Sequence, residues 1–560
     1  MVLYVRLLLS IVMLSACRGG DNVPVATGQN WYVRPGPGNY GKGDGKSYDN
    51  AWADFSCIDW SLVQPGDTLW LDGTFTTDNL DIGVSGIAGN PVYIRGDYRG
   101  TGSPAVIDLS AKDPVSFKKA PIFIFANGTT IPNRDYLDIS FIDIKANGAA
   151  DIGGFQAVGT AGSTGRGFTI KVRNVRVLQN YAVPGTGSGD CFSLANLAQV
   201  EFYNITAQHC REMDTPAGSH QAITTHTSSK ARVFGGIFDD ANYWATPTAD
   251  STIELYGVTM ANARISGFDN GNDSAMHGGI LCDGCTITMG AGDGRFAGGG
   301  NGNSPIVIRN STITFGPGWS SNSPVTANLY LDACTIVIDA VTGGFINASS
   351  GIFQISNSNV TFPATKLGYS FFQSNAGGSL VIDRNNTFIA NGNRVCRFAN
   401  SSGGESRFVG NKVTGTETGA MTVDVASGAY VSSMSQNDFY KPGSVGVDDS
   451  AFFFGGPPAI ACTVMNNIIV GYTRVNNPAT LASNLTVDYN DIFLFSENPN
   501  GVHTITANPL FVDPANGNFD LMAASPCIGA GKDIGVYQQS PPNIGWMAEP
   551  FTLGVTVGGN

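Results

Sequence analysis

One feature constrains this chain more than any other: from Ile170 onward a short apolar strand, a polar corner and a second apolar strand recur. Units such as Val172-Arg-Asn174-Val-Arg-Val177, Ile308-Arg-Asn310-Ser-Thr-Ile313, Ile355-Ser-Asn357-Ser-Asn-Val360 and Val464-Met-Asn466-Asn-Ile-Ile469 share the pattern. The corner falls at Asn174, Asn204, Gly235, Gly257, Gly284, Asn310, Ala333, Asn357, Asn385, Gly410, Asn437, Asn466 and Asn490. Twelve steps span 490 − 174 = 316 residues, about 26 each, a period that marks stacked rungs. Asn and Gly suit such a corner because both tolerate a left-handed backbone, and stacked Asn side chains can hydrogen-bond from rung to rung.

The alternatives fit less well. A propeller blade needs about 40 residues, and an antiparallel barrel needs hairpin turns between its strands. The Leu-x-x-Leu-x-Leu consensus of leucine-rich repeats is absent. With 72 Gly in 560 residues and 13% charged residues, the composition favours many short strands over helices. The expectation is an all-β chain, a single right-handed parallel β-helix solenoid of about 13 or more rungs, one for each corner.

The flanks carry a resemblance. Trp31-Tyr-Val-Arg-Pro-Gly-Pro-Gly38, Gly43-Asp-Gly45, Asn50-Ala-Trp52 and Pro65-Gly-Asp-Thr-Leu-Trp-Leu-Asp-Gly73 resemble the opening segment of bacterial β-helix proteins of the pectate-lyase-like superfamily. Asn508-Pro-Leu-Phe-Val-Asp-Pro514, Asn518-Phe-Asp-Leu521 and Ser525-Pro-Cys-Ile-Gly-Ala-Gly531 resemble their closing segment. The resemblance implies a fold rather than an activity, since that superfamily holds lyases, hydrolases, epimerases, adhesins and phage tailspikes. The expected organisation is a leader over 1–17, a linker over 18–30, opening and capping rungs over 31–110, the central coil over 111–500 and closing rungs with a tail over 501–560.

Arg6 followed by the apolar run Leu7 to Leu14 is too short to span a bilayer and reads as a signal peptide. Leu14-Ser-Ala-Cys17 matches the bacterial lipobox, which makes Cys17 the lipidated residue; an ordinary signal peptide that contains a Cys is the alternative. Arg18 stands where inner-membrane retention signals usually have Asp, so the expected location is the cell envelope, anchored to the outer membrane and periplasmic or surface-exposed. Nine further cysteines remain, an odd number, read as buried thiols with an occasional disulfide. Cys282 and Cys285 are expected on opposite faces of an unbroken strand.

A net charge of −13 argues against a nucleic-acid partner, because a phosphate backbone needs basic residues to displace its counterions. An acidic polymer would need a local Arg cluster or a bridging Ca2+.

Residues with the same offset from the corner should stack about 4.8 Å apart on successive rungs. That places Asp190, His220 with Gln221, Tyr243 with Trp244, Asp269 with Asn270, and Arg295 with Phe296 in one column; His209 and Asp240, each five past a corner, should also approach. Aromatic faces, amides, carboxylates and a guanidinium are what a groove for a sugar chain requires. Four of the five His lie between 209 and 277, and the rung connection from His209 to His220 is unusually polar.

Gly189-Asp-Cys-Phe-Ser-Leu194, Gly218-Ser-His-Gln221 and Arg264-Ile265 resemble the Asp-Asp-Cys, Gly-His-Gly and Arg-Ile-Lys succession of polygalacturonase-like hydrolases. The match departs at Gly189 and Ser266 and lacks the upstream Asn-Thr-Asp element, so the acid and base pair of an inverting hydrolase is not complete. Asp239-Asp240 could supply carboxylates, or cap a turn. A lyase would need a base, from His220, Lys230 or Arg264, and a cation such as Ca2+ held by Asp190, Glu212 and Asp214.

The sequence therefore points first to an enzyme that cleaves an acidic polysaccharide by β-elimination or hydrolysis, with catalytic candidates Asp190, His220, Arg264 and Lys230. Substrate-binding candidates are Gln221, Tyr243, Trp244, Asp269, Asn270 and Arg295, and the metal candidates are Glu212 and Asp214. A noncatalytic glycan-binding adhesin or structural solenoid is the second expectation. A phage tailspike is the third, opposed by the lipobox and by the absence of a separate capsid-binding segment before the coil. A monomer is expected.

Overall fold

The structure is a computed structural model that describes residues 28–530 apart from 100–102, 127–133, 150–151, 160–167, 183–188, 213–219, 270–278, 299–304, 327, 340–342, 366, 376, 416–420, 442–449, 477–483 and 496–500. Cys17, Asp214 and Asn270 lie outside the described residues, as does the side chain of Glu212.

The chain coils into a right-handed parallel β-helix. Each strand pairs in parallel with its counterpart one turn later, as in Ile306–Arg309 with Leu329–Asp332, and that strand with Ile352–Ser356. Inside, Ile, Val, Leu and Phe from successive rungs form one continuous core. An antiparallel pair, Phe511–Asp513 with Asn518–Leu521, closes the C-terminal end. Among the described residues no helix is long and apolar enough to cross a membrane.

Eleven of the thirteen expected corners have positive φ, from Asn357 at 49° to Gly410 at 69°. The two exceptions are off by one: the left-handed residues are Gln436 and Tyr489, not Asn437 and Asn490. The reason lies one position further on, where the side chain turns inward. Asn386, Asn411, Asn437, Asn467 and Asn490 are buried and bond in series, each Nδ2 donating to the next Oδ1 at 2.9–3.1 Å. Asn437 and Asn490 are therefore ladder residues beside the corner. At earlier corners the same inward position holds Cys285, Ser311, Cys334 and Ser358; Ser311 Oγ accepts from the Cys285 amide, and Ser358 Oγ from the Cys334 amide.

Cys282 and Cys285 are both buried, contrary to the expected opposite faces, because the strand breaks at the Gly284 corner and alternation restarts beyond it. Cys191 and Cys210, both in the core, form a disulfide.

Between Ile170 and Asp269 the coil differs from the rest. Strands Ile170–Ala182, Gln199–Glu212, Lys230–Pro247 and Thr252–Asp269 run 13 to 18 residues without interruption. They bend at the corner instead of ending, and the last three bend again at a second left-handed position, occupied by His209, Asp240 and Asn262. This second bend brings charged side chains together outside the coil.

Candidate functional site

Asp240 lies at the centre of that bend. Its Oδ2 meets His209 Nδ1 at 2.6 Å and accepts from Arg211 Nε at 2.7 Å, and its Oδ1 accepts from Arg264 Nε at 2.6 Å. The approach of His209 to Asp240 expected from equal offsets is present. Burial opposes the charge on Asp240, but the hydrogen bonds from His209, Arg211 and Arg264 hold its carboxyl below the usual range. Neighbouring Asp239 accepts from Asn262 Nδ2 at 2.6 Å.

One rung beyond Arg264, the turn Gly290-Ala-Gly-Asp-Gly294 presents Asp293, whose Oδ2 accepts from the Gly290 amide at 2.6 Å. Burial pushes its carboxyl up to about 6, against the lowering effect of Gly290 and Arg264, with Asp239 and Asp240 raising it further. Arg264 is thus bonded to one carboxylate that is held below the usual range, and acts through space on a second that burial raises to about 6. Side chains driven apart in this way can divide acid and base roles between them.

The column lies two to three residues further along the same strands. Gln221, Tyr243, Ser266 and Arg295 are in register on four successive rungs. Asp269 is three residues from the expected place, which Ser266 occupies, yet it remains close enough to interact with Tyr243. Burial raises the Tyr243 phenol, Asp269 adds to that and Arg295 opposes it. Tyr243, Asp269 and Arg295 therefore share one patch, with Arg295 exposed.

Other candidates sit elsewhere. Trp244 is fully buried, with Nε1 donating to the Ala261 carbonyl at 2.9 Å and its ring against Phe268, so it offers no face to a sugar. A register shift between Ala241 and Tyr243 sets which of the adjacent rings points outward. His220 is also fully buried, its Nδ1 accepting from the Gly189 amide at 2.6 Å. Asp190 is buried beside it, with Oδ1 accepting from the Gln221 amide at 3.2 Å. These two tie neighbouring rungs together and do not face an open groove. Lys230 opens its strand in register with Gln199 and Thr252, two bends away from Arg264.

Among the described residues no group of three or more His, Cys, Asp or Glu side chains could hold a metal ion. Asp190, the described member of the expected Ca2+ set, already spends one oxygen on a backbone amide.

Asp293 was not anticipated. A signal existed: it precedes its following corner by the same 17 residues as Asp240, since 310 − 293 = 257 − 240. Its place in a Gly-rich turn hid it. A third aromatic feature, the stack Tyr203, Phe234 and Tyr256 on the preceding face, has ring centroids 5.1 Å apart and Arg173 over one end. Its rings cover one another and present edges to solvent, which suits a structural ladder.

The sequence matches no family model, and no curated protein matches it. Among solved structures it is similar to a GH136 lacto-N-biosidase from Eubacterium ramulus (11% identity, TM-score 0.28, covering 83% of this chain and 68% of that one). It is also similar to the pectate lyase Pel9A (13%, 0.21, 92% and 96%) and to the PL6 family alginate lyase AlyGC (10%, 0.21, 83% and 89%). Values this low assign this chain neither an activity nor a substrate.

Proposed function

We propose that this chain is a carbohydrate-active enzyme that cleaves a uronate-containing polysaccharide on the outer surface of the coil around Asp240, Arg264 and Asp293. The observation that carries this reading is Arg264, bonded to Asp240 and one rung before the raised carboxyl of Asp293, two residues along the strands from Tyr243 and Arg295. Among the described residues only Nε of Arg264 is hydrogen-bonded, which leaves its terminal nitrogens for a sugar carboxylate. Arg295 supplies a second exposed guanidinium.

In this arrangement Asp293 is the catalytic residue. In β-elimination its carboxylate would take the proton at C5 while the C4–O bond breaks, and the guanidiniums would stabilise the charge that builds on the uronate carboxyl. In hydrolysis its protonated form would donate to the glycosidic oxygen as water adds at the anomeric carbon. Asp240 is a positioning residue that fixes Arg264. Ca2+ enters the proposal only as a ligand of the region around Glu212 and Asp214, and no step is routed through it. The Cys17 anchor and a place in the bacterial envelope belong to the same proposal.

Incubating the purified mature protein with a panel of acidic and neutral polysaccharides tests it. Unsaturated, ultraviolet-absorbing products indicate elimination, and saturated reducing ends indicate hydrolysis. No product from any acidic polymer sinks the proposal. A second reading, glycan binding without turnover, is favoured by the saturation of Asp240, whose two oxygens already engage His209, Arg211 and Arg264. Retention of an acidic polymer with no product would support it.

A further inference from the structure

The first rungs carry a separate groove of about 410 Å³ that no part of the site above uses. Its aromatic wall is built from Trp60, Phe123 and Phe125. Phe123 and Phe125 alternate with buried Ile122 and Ile124 on one strand, so both rings point out of the coil, stacked at 5.7 Å and 13°. Trp60 packs against the backbone of Gly83, where an added Cβ would fall 2.5 Å from the indole. Gly83 is thus the residue that lets the ring lie flat along the groove.

The polar side of the groove is held by different chemistry. Asp78 and Lys119 neutralise one another at 2.8 Å. Arg134 spends Nε on the Ile82 carbonyl at 3.1 Å, and its terminal nitrogens make no further hydrogen bond or ion pair among the described residues. Asp81, on the same lining, attracts Arg134 and is attracted in turn by Lys119, without a direct hydrogen bond to either among the described residues. An aromatic wall beside a guanidinium whose terminal nitrogens make no hydrogen bond among the described residues, with a carboxylate in the same lining, matches a sugar ring that carries both a carboxylate and hydroxyls. The ring stacks on Phe123, its carboxylate takes the Arg134 fork, and a hydroxyl donates to Asp81.

The groove lies on the same face of the coil as Tyr243. Asp81, Phe123, Gln156, Ser193, Thr224 and Thr246 are in register, so Phe123 is four rungs, about 19 Å, from Thr246. Ser193, Thr224 and Thr246 are buried, which makes the groove a distinct pocket and not an extension of the candidate site.

We infer that this N-terminal groove is a second saccharide-binding site, which takes a uronate unit of a polysaccharide and tethers the polymer without cleaving it. The inference rests on the polysaccharide reading above. Its test is binding of the mature protein to alginate and to polygalacturonate, with a neutral glucan as control, measured by retardation in polymer-containing gels. Phe123→Ala and Arg134→Gln should each weaken retention by an acidic polymer at least tenfold, and leave both the melting temperature and the turnover of short oligosaccharides unchanged. Trp60→Ala is avoided as the primary probe because the ring also packs on the core. Retention by an acidic polymer that survives both substitutions overturns the second site and leaves the cleavage proposal standing. A wild-type protein that neither binds nor cleaves either acidic polymer overturns both.

Discussion

Two stretches of one coil solve the same corner differently. From Gln199 to Asp269 long strands bend twice without breaking, and the second bend projects His209, Asp240 and Asn262 outward into a charged network. From Asn386 to Asn490 the strands are three to five residues long, and the residue after the corner points inward to form a buried amide ladder. In the first stretch polar side chains stand where solvent and a ligand can reach them. In the second they satisfy one another, which fixes the rung spacing and leaves little outside. The division teaches that in a solenoid a polar repeat is not by itself a site; its direction relative to the wall decides.

The sharpest way to break the comparison is at Asp293. Asp293→Asn should cut turnover of the responsive polymer by about 10²–10⁴-fold, the range of a lost general acid or base, with the melting temperature kept or raised. An effect below threefold would remove Asp293 from the chemistry. Substituting the ladder should do the opposite. Asn437→Ala removes an acceptor for Asn411 and a donor to Phe408 and Asn467, all buried, and should cost about 3 kcal/mol or more in denaturant unfolding while turnover per folded molecule holds. A loss under 1 kcal/mol would show that the ladder is ornamental.

pH gives a finer test. Asp293 is raised to about 6, so its protonated form is favoured by folding: the stability it contributes is present below about pH 4 and is lost as pH rises through 6. Asp240 is lowered, so its contribution is present above the unfolded carboxylate value and is lost as pH falls through its folded value. Melting curves of wild type and Asp293→Asn should therefore diverge between about pH 4 and 6. Activity that rises with pH through about 6 would mark Asp293 as a base, and activity that falls would mark it as an acid. A profile flat across that range would exclude both roles. The smallest effect is expected at Trp244→Phe, where one buried ring replaces another: a stability loss of about 1–2 kcal/mol without change in KM, since the indole faces the core. A raised KM would return Trp244 to the binding surface.

Most of the fold was legible because the corner repeat records backbone geometry, and left-handed positions select Asn and Gly wherever they occur. The site was legible only in its register. Gln221, Tyr243 and Arg295 align as expected because rung offsets survive small variations in length. Trp244 and His220 turned inward because a bulge or a strand end reverses the alternation on which facing arguments depend, and no residue pattern announces it. Asp293 was missed because its partners, Arg264 and Asp240, stand on earlier rungs, so its significance is tertiary.

The Cys191–Cys210 disulfide has a mechanical consequence. It joins two core positions of the coil 19 residues apart in sequence, which closes that segment into a covalent loop. Pulled from its two ends, the oxidised protein would pay out chain as successive rungs peel away, but the loop would stay shut. Its hidden contour is roughly 65 Å, from 19 residues at about 3.4 Å each. In force spectroscopy, adding reductant should lengthen the full extension by that amount, and the last segment to yield would be the one beside the charged bend. A β-helix stapled there keeps the strands nearest its candidate chemistry joined even when the ends of the coil have been drawn apart.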